Sequence, residues 1–305
     1  MNLYRIHLKT DANTREKLID FCLHTESPKI AIGWSYLHSI FSDLKNGYDL
    51  SEAYKRDKDN NPKGKTKRPL ACFARLKKDD LVWTRDLNGV YYLCRVISEP
   101  KAECNVDLDI GATASVELIK VDTSIPGGII ARFTRPLSPT IETIWDTNCI
   151  EYSKFLYNKL TGTKKYETIS SFEFNLIKML PPADMEELVM DYIQIKYDYY
   201  LSKNSVAPSS TTVKIECEFF PRKEGLPPAV CQVSYQGSGE KFTSEYYQDY
   251  VNAGKRVFLF FAEHEYDEPR EGITYITKSE IVKFAHQYEK LLPPSIKIWI
   301  EMCKQ

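Results

Sequence analysis

Residues 211–235, TTVKIECEFFPRKEGLPPAVCQVSY, decide how the second half of the chain is read. They contain two successive β-rich runs, the first carrying Glu218 and the second carrying Gln232. Side chains two apart on a strand share a face, so Gln232 and the residue two beyond it point the same way. That residue is Ser234, at the position where a cationic lysine is expected two residues after the second metal ligand. Glu216 shares a strand face with Glu218 and takes its place as ligand if the register moves by two.

Working outward from this stretch, residues 181–184 (Pro-Pro-Ala-Asp) open a helix, with Asp184 expected as N-cap and Glu187 at the capping-box position. Met185, Leu188, Val189, Tyr192 and Ile193 recur at helical spacing and mark its buried face. Strands are expected around Tyr199, over 213–220 and over 229–235, followed by a helix over 243–253. The run 256–261, RVFLFF, has the continuous β-rich character of a central strand, and a last helix over 278–291 closes the domain before Pro293-Pro294. The order helix, three strands, helix, strand is an α/β sandwich, with a domain boundary near residue 165.

The first half reads as a different architecture. A short alternating strand in MNLYRIHLKT leads to a helix over 14–24, a strand over 30–34 and a helix over 39–54. Residues 55–68, KRDKDNNPKGKTKR, carry seven Lys/Arg against two Asp with Asn-Asn-Pro and Gly, the composition of a mobile loop. Strands over 80–85 and 90–97 flank Leu87-Asn88-Gly89, and Asn-Gly between two β-rich runs is a strong hairpin signal. A strand over 114–121, a Pro-Gly-Gly turn and the apolar-basic run 129–135 follow. A small, strongly curved β-sheet or barrel with peripheral helices is expected for residues 1–160, with a polar helical stretch over 145–168.

Composition bounds the rest. The 305 residues suit two domains, and 43% hydrophobic with 27% charged residues is a globular composition. A formal net charge of -1 argues against a uniformly basic coat but leaves room for one basic face. Eight cysteines include no Cys-x-x-Cys pair and no zinc-finger spacing, and several lie in apolar strand-like runs, which fits reduced thiols and a cytoplasmic location. No signal peptide and no membrane span is expected.

The αβββαβ order, with acids on the first helix and second strand and a Gln on the third, resembles the PD-(D/E)XK nuclease superfamily, particularly its Mrr-like restriction endonucleases, over roughly residues 165–300. The resemblance implies that Glu187 is the helical acid, Glu218 the metal-binding acid and Gln232 the third-strand ligand of Mg2+, with phosphodiester hydrolysis as the activity. Ser234 stands where that family has lysine, so Lys241 or Lys214 is expected to supply the ammonium.

The passage LKKDDLVWTRDLNGVYYLCRV with upstream KIAIGWSY is similar to the PUA-like superfamily, which includes the EVE and YTH readers of modified bases, with Asp79-Asp80 in place of the common Gly-Asp. That likeness implies a base pocket of flat aromatic surfaces and polar groups, for which Trp34, Tyr36 and Trp83, with Ser35 and Asp86, are candidates. Lys63, Lys65, Lys67 and Arg68 in the basic loop, and Arg132 and Arg135 around Phe133, are candidate phosphate contacts. Together the two resemblances imply a restriction-type protein of bacterial or phage defence, binding plain or modified DNA with the first domain and cutting it with Mg2+ in the second. A catalytically silent nuclease fold serving as reader or adaptor, and an RNA-binding PUA-like protein, are the alternatives. A homodimer or a defence-system partner is left open, and no membrane partner is expected.

Overall fold

The computed structural model describes residues 1–9, 14–37, 67–121, 125–168, 175–204, 217–234, 244–262 and 270–303. It divides into two compact units, Met1–Phe172 and Glu173–Gln305. The first extends past the boundary expected near residue 165. Tyr166 explains part of that, since its hydroxyl donates to the Asp79 carbonyl (3.0 Å) and its ring meets Tyr157 edge-on at 5.1 Å. The architecture is mixed α and β in both units.

In the first unit, seven strands form one curled, half-barrel sheet: β1 (Leu3–Ile6), β2 (Lys29–Ile32), β3 (Leu81–Arg85), β4 (Tyr91–Val96), β5 (Lys101–Asn105), β6 (Ile110–Val121) and β7 (Ile141–Ile144), in the order β2-β6-β4-β3-β1-β7, with β5 also on β6. The twelve residues of β6 are the spine, pairing with β4 over Val116–Val121 and with β2 and β5 over its small-residue half, Ile110–Ser115. The β3–β4 hairpin turns at Asn88-Gly89, with Gly89 at φ +81°. β1 pairs in parallel with β3, and β7 returns antiparallel to β1.

One face of this sheet carries the main core, in which Tyr4, Ile6, Leu8, Val82, Tyr92, Cys94 and Val116 meet Leu18, Ile19, Cys22 and Leu23 of α1 (Arg15–Leu23) and Leu70 and Phe73 of α2 (Lys67–Ala74). The opposite face of β1 and β3 carries Leu3, Arg5, Leu81, Trp83 and Arg85, by strand alternation and register. α3 (Gly127–Thr134) and α4 (Thr147–Thr161) supply Phe133 and Ser153 to that face. The Pro-Gly-Gly segment therefore opens a helix, and residues 129–135 are not a basic edge strand. Pro126 fixes the N-cap φ at −53°, and the apolar Ile129, Ile130 and Phe133 follow at helical spacing. The expected helix over 39–54 lies outside the described residues, as do 55–66 of the basic run; its last two residues, Lys67 and Arg68, start α2.

The second unit holds a five-stranded sheet ordered β12-β11-β10-β9-β8, from β8 (Tyr199–Asn204), β9 (Cys217–Pro221), β10 (Ala229–Ser234), β11 (Arg256–Phe261) and β12 (Ile273–Tyr275). β9 is antiparallel to both neighbours, whereas β10, β11 and β12 run parallel. α5 (Leu176–Met179) and α6 (Pro182–Lys196) precede the sheet, and α7 (Gln248–Asn252) connects β10 to β11. α6 and α8 (Lys278–Gln287) cover the Phe258 face: Tyr192 meets Phe284 at 5.3 Å, and Tyr197, just past α6, meets Phe258 at 4.7 Å. The sequence does not announce α9 (Pro294–Cys303), whose Ile296, Trp299 and Ile300 are fully buried.

The start of α6 is a correction. Its N-cap is Pro181, without a side-chain bond, and Asp184 lies in the first turn, where a carboxylate suits the helix dipole. A reciprocal capping box forms instead at α8, between Thr277 and Glu280. Among the described residues, no helix is long and apolar enough to cross a membrane.

Gly111 gives a test of how tightly β6 is seated. A Cβ there would lie 2.6 Å from the Trp34 carbonyl oxygen and 3.0 Å from that of Gly33, both backbone atoms. Gly111→Ala is therefore expected to destabilise the first unit by about 1–3 kcal/mol, read by thermal unfolding; an unchanged melting temperature would show that this approach is looser than described.

Candidate functional site

The second unit brings Glu218 and Gln232 to one face of the sheet. Glu218 is the partner of Val230 across β9 and β10, and Gln232 is two residues further along β10. Val230, Val257, Leu259 and Phe261 line this face with Tyr247, and Tyr250 and Val251 of α7 pack against them. Gln232 is buried, and its side-chain amide donates to the Val233 carbonyl (3.0 Å). Glu218 is more open and accepts an ion pair from Lys255 Nζ at 3.0 Å. Lys255 stands just after the Gly254 turn and before β11, and sequence reasoning did not select it. Its signal was a cation at the mouth of the most apolar strand in the chain. Glu216, Lys214 and Lys241 lie outside the described residues.

The ion pair does not lock Glu218. Its side chain is 43% exposed and that of Lys255 is 32% exposed, and such surface pairs are worth about 0–1 kcal/mol. Glu218 and Gln232 carry one carboxylate and one carboxamide oxygen, the donor types of hard-cation ligands, while among the described residues no three His, Cys, Asp or Glu side chains are grouped to hold a metal ion. Lys255 also borders a cleft of about 580 Å³, with Arg256, Gln248, Glu271 and Thr274 among its other walls.

Glu187 is not brought to these residues by any described contact. It is exposed on α6, the helix that covers the opposite, Phe258 face of the sheet. Its neighbour one turn on, Asp191, is half-buried, and burial followed by the charge of Glu187 pushes its pKa from 3.8 up to about 6. The Gln194 amide donates to Asp191 (3.5 Å), while its carbonyl oxygen accepts from the Leu201 backbone.

In the first unit the expected aromatic pocket separates into different environments. Trp83 is fully buried, and its indole Nε1 donates to Ser153 Oγ at 2.9 Å, so it is a core residue with no face for a base. Asp86 is buried too, and it holds the hairpin: Oδ1 accepts from the backbone N–H groups of Asn88 (2.8 Å) and Val90 (2.9 Å), and Oδ2 from the Tyr92 hydroxyl. Trp34 has φ +67° and packs partly against the main core. Ser35 is buried, and its backbone N–H donates to Asp109 Oδ1 at 2.9 Å. Tyr36 alone of the three aromatics is strongly exposed, at 46%, in the 3-10 turn Ser35–Leu37. Arg68 is exposed at the start of α2; Lys63 and Lys65 lie outside the described residues.

Arg132 and Arg135 meet a carboxylate. Glu142 on β7 accepts from Arg135 at 2.7 Å and lies 3.6 Å from Arg132, while its other oxygen accepts from Arg5 at 2.6 Å. Arg5 is fully buried, also donates to the Pro139 carbonyl (2.7 Å), and sits 5.5 Å from the Phe133 ring centroid. Three arginines thus share one carboxylate, which takes up much of the phosphate-binding capacity expected of Arg132 and Arg135.

Two outcomes follow from these geometries. Glu142→Gln leaves the Arg5 guanidinium buried without its counter-charge and is expected to cost about 3–5 kcal/mol, against less than about 1 kcal/mol for Arg135→Gln; equal effects in urea unfolding would remove Glu142 from this role. For Asp191 the folded pKa lies above the unfolded value, so its contribution is complete below pH 3.8 and is lost as pH rises through about 6. Asp191→Asn should therefore melt higher than the parent at pH 8 and show a smaller difference at pH 4, and an equal shift at both pH values would place the effect elsewhere. Comparison with family models, with curated proteins and with solved structures returned no match.

Proposed function

We propose that this chain is a restriction-type, DNA-targeting protein of the cytoplasm, in which the first unit binds DNA, including DNA with modified bases, and the second hydrolyses phosphodiester bonds with magnesium. The observation that carries the reading is that Glu218 and Gln232 share one face of β9 and β10, with the Lys255 ammonium paired to Glu218, in a unit that runs α6-β8-β9-β10-α7-β11 before β12. Ser234 lacks the expected positive charge; it pairs with Phe261 at the far end of β10, whereas Lys255 brings its ammonium to Glu218 from the turn before β11.

In this reading Glu218 and Gln232 would hold the magnesium ion, which supplies Lewis-acid charge and activates water for attack on phosphorus. Gln232 is fixed by burial and by its bond to the Val233 carbonyl, which holds its side chain in one orientation. The Glu218–Lys255 pair is weak enough that Glu218 could serve as a ligand, and the Lys255 ammonium would then be available to balance negative charge on a phosphoryl group beside it.

A second reading, in which the nuclease-like unit is silent and binds only, is favoured by the exposed position of Glu187 on the helix of the opposite face. The experiment that separates them incubates the chain with plain, methylated, hydroxymethylated and glucosylated DNA, in magnesium and in EDTA, following binding and cleavage on one gel. Magnesium-dependent cuts lost in Glu218→Ala with binding retained, and slowed about 10²–10³-fold in Lys255→Ala, are the expected result. Binding without cutting establishes the silent fold, and cleavage that survives Glu218→Ala moves the site away from β9.

A further inference from the structure

The alternation along β1 continues past its last paired residue. Arg5, His7 and Lys9 succeed one another at two-residue spacing on the side of the strand away from the main core, which takes Tyr4, Ile6 and Leu8. Arg85, at the end of the parallel neighbour β3, lies on the same side, because Arg5 and Trp83 are register partners. Its guanidinium stands 5.3 Å from the Phe133 ring centroid, and Nη2 donates to the Phe133 carbonyl at 3.3 Å. His7 meets the same ring edge-on at 5.0 Å and bonds Ser138 Oγ at 2.9 Å. Arg15, the first residue of α1, reaches back so that Nε donates to the Leu8 carbonyl at 3.1 Å, beside Lys9.

These side chains repel one another. Partial desolvation, then the charges of Arg15, Arg5 and Arg85, lower the pKa of the otherwise exposed Lys9, and burial with the charge of Arg85 lowers that of Arg15. His7 is pushed down to about 3, first by burial and then by Arg5, Lys9, Arg85 and Arg15, so it adds no positive charge at neutral pH. Among the described residues no carboxylate is paired with Lys9, Arg15 or Arg85, and Glu142 is engaged by Arg5, Arg132 and Arg135. Like charges gathered on one side of a strand repel, and an anion that joins them relieves that repulsion. Guanidinium forks and an ammonium on adjoining elements are the groups that grip phosphate oxygens.

We propose that Lys9, Arg15 and Arg85 form a phosphate-binding site at the end of β1, taking backbone phosphates of a nucleic acid strand. It lies apart from the aromatic residues and the basic run that the sequence points to, and it rests on the nucleic-acid reading above. The ring of Phe133 and the carbonyl of Leu8 hold Arg85 and Arg15 in place, so these two enter the complex with their forks already oriented.

The test is fluorescence anisotropy of a labelled DNA duplex and of its single strand across a salt series, with the full chain, Lys9→Gln, Lys9→Gln with Arg15→Gln, and Lys223→Gln as a control on the second unit. Each lost phosphate contact removes about 0.9 from the log–log salt slope on duplex. The single variant should flatten the slope by about 1 and the double by about 2, equally for unrelated sequences, with Lys223→Gln unchanged. Lys9 is exposed, so the single variant keeps the test free of any folding effect at Arg15. A parent chain that binds DNA with a steep slope left intact by both variants overturns this site alone. A parent that binds neither form of DNA overturns the nucleic-acid reading with it. Binding to anionic lipid vesicles that the double variant loses, with DNA binding unaltered, assigns the surface to a membrane and overturns the proposal.

Discussion

The buried guanidinium of Arg5 is the constraint around which the first unit is arranged. A charge with no exposed surface is tolerated only with a counter-charge and full hydrogen bonding. Arg5 obtains both from β7 and the turn before it, through Glu142 and the Pro139 carbonyl, and this fixes β7 against β1 as firmly as the strand pairing does. Phe133 then closes over the guanidinium, which sets where α3 lies. Because Glu142 is engaged by Arg5, it shares its remaining oxygen with Arg132 and Arg135, and among the described residues no carboxylate is paired with the cations further along the strand.

In the second unit the equivalent constraint is the direction of β9. An antiparallel strand between β8 and β10 brings Glu218 opposite Val230, on the face where α7 and not α6 packs. The same direction opens the turn between α7 and β11 toward Glu218, so that the lysine just before β11 reaches the carboxylate. The acids of α6 belong to another environment, where Asp191 is half-buried beside Glu187 and holds its proton more tightly than a solvated carboxylate would.

What could be read from the sequence follows the range of the interactions involved. Strand β11, the Asn-Gly hairpin and the first helix were legible because their signals are local: a continuous apolar run, a turn dipeptide with its glycine at positive φ, a periodic apolar face. The start of α6 misled because an Asp-x-x-Glu pattern near a helix start is also produced by a first turn that Pro181 already caps. Trp83 was a candidate for a pocket because its indole is amphipathic, and Asp86 because it could supply a polar contact; only the fold reveals Ser153 and the hairpin amides as their partners, 70 residues away in one case and two to four in the other. The parallel pairing of β1 with β3 bridges 78 residues and leaves no local trace, so the meeting of Arg85 with the β1 cations could not be anticipated. The alternation of Arg5, His7 and Lys9 was visible in MNLYRIHLKT, but it reads as a strand facing water until the register shows what stands beside it.

The close approach of Gly111 to Trp34 bears on Tyr36. Trp34 adopts a left-handed backbone that few non-glycine residues take, its carbonyl rests on a position where no side chain fits, and the next amide is bonded to Asp109. The turn presenting Tyr36 to solvent is thereby anchored on its N-terminal side to the spine of the sheet. Ordering a backbone residue costs about 1–2 kcal/mol, and at this turn that loss of freedom is incurred when the domain folds. An aromatic ring carried on such a support would meet a planar ligand with a smaller entropic penalty than the same ring on a loose loop.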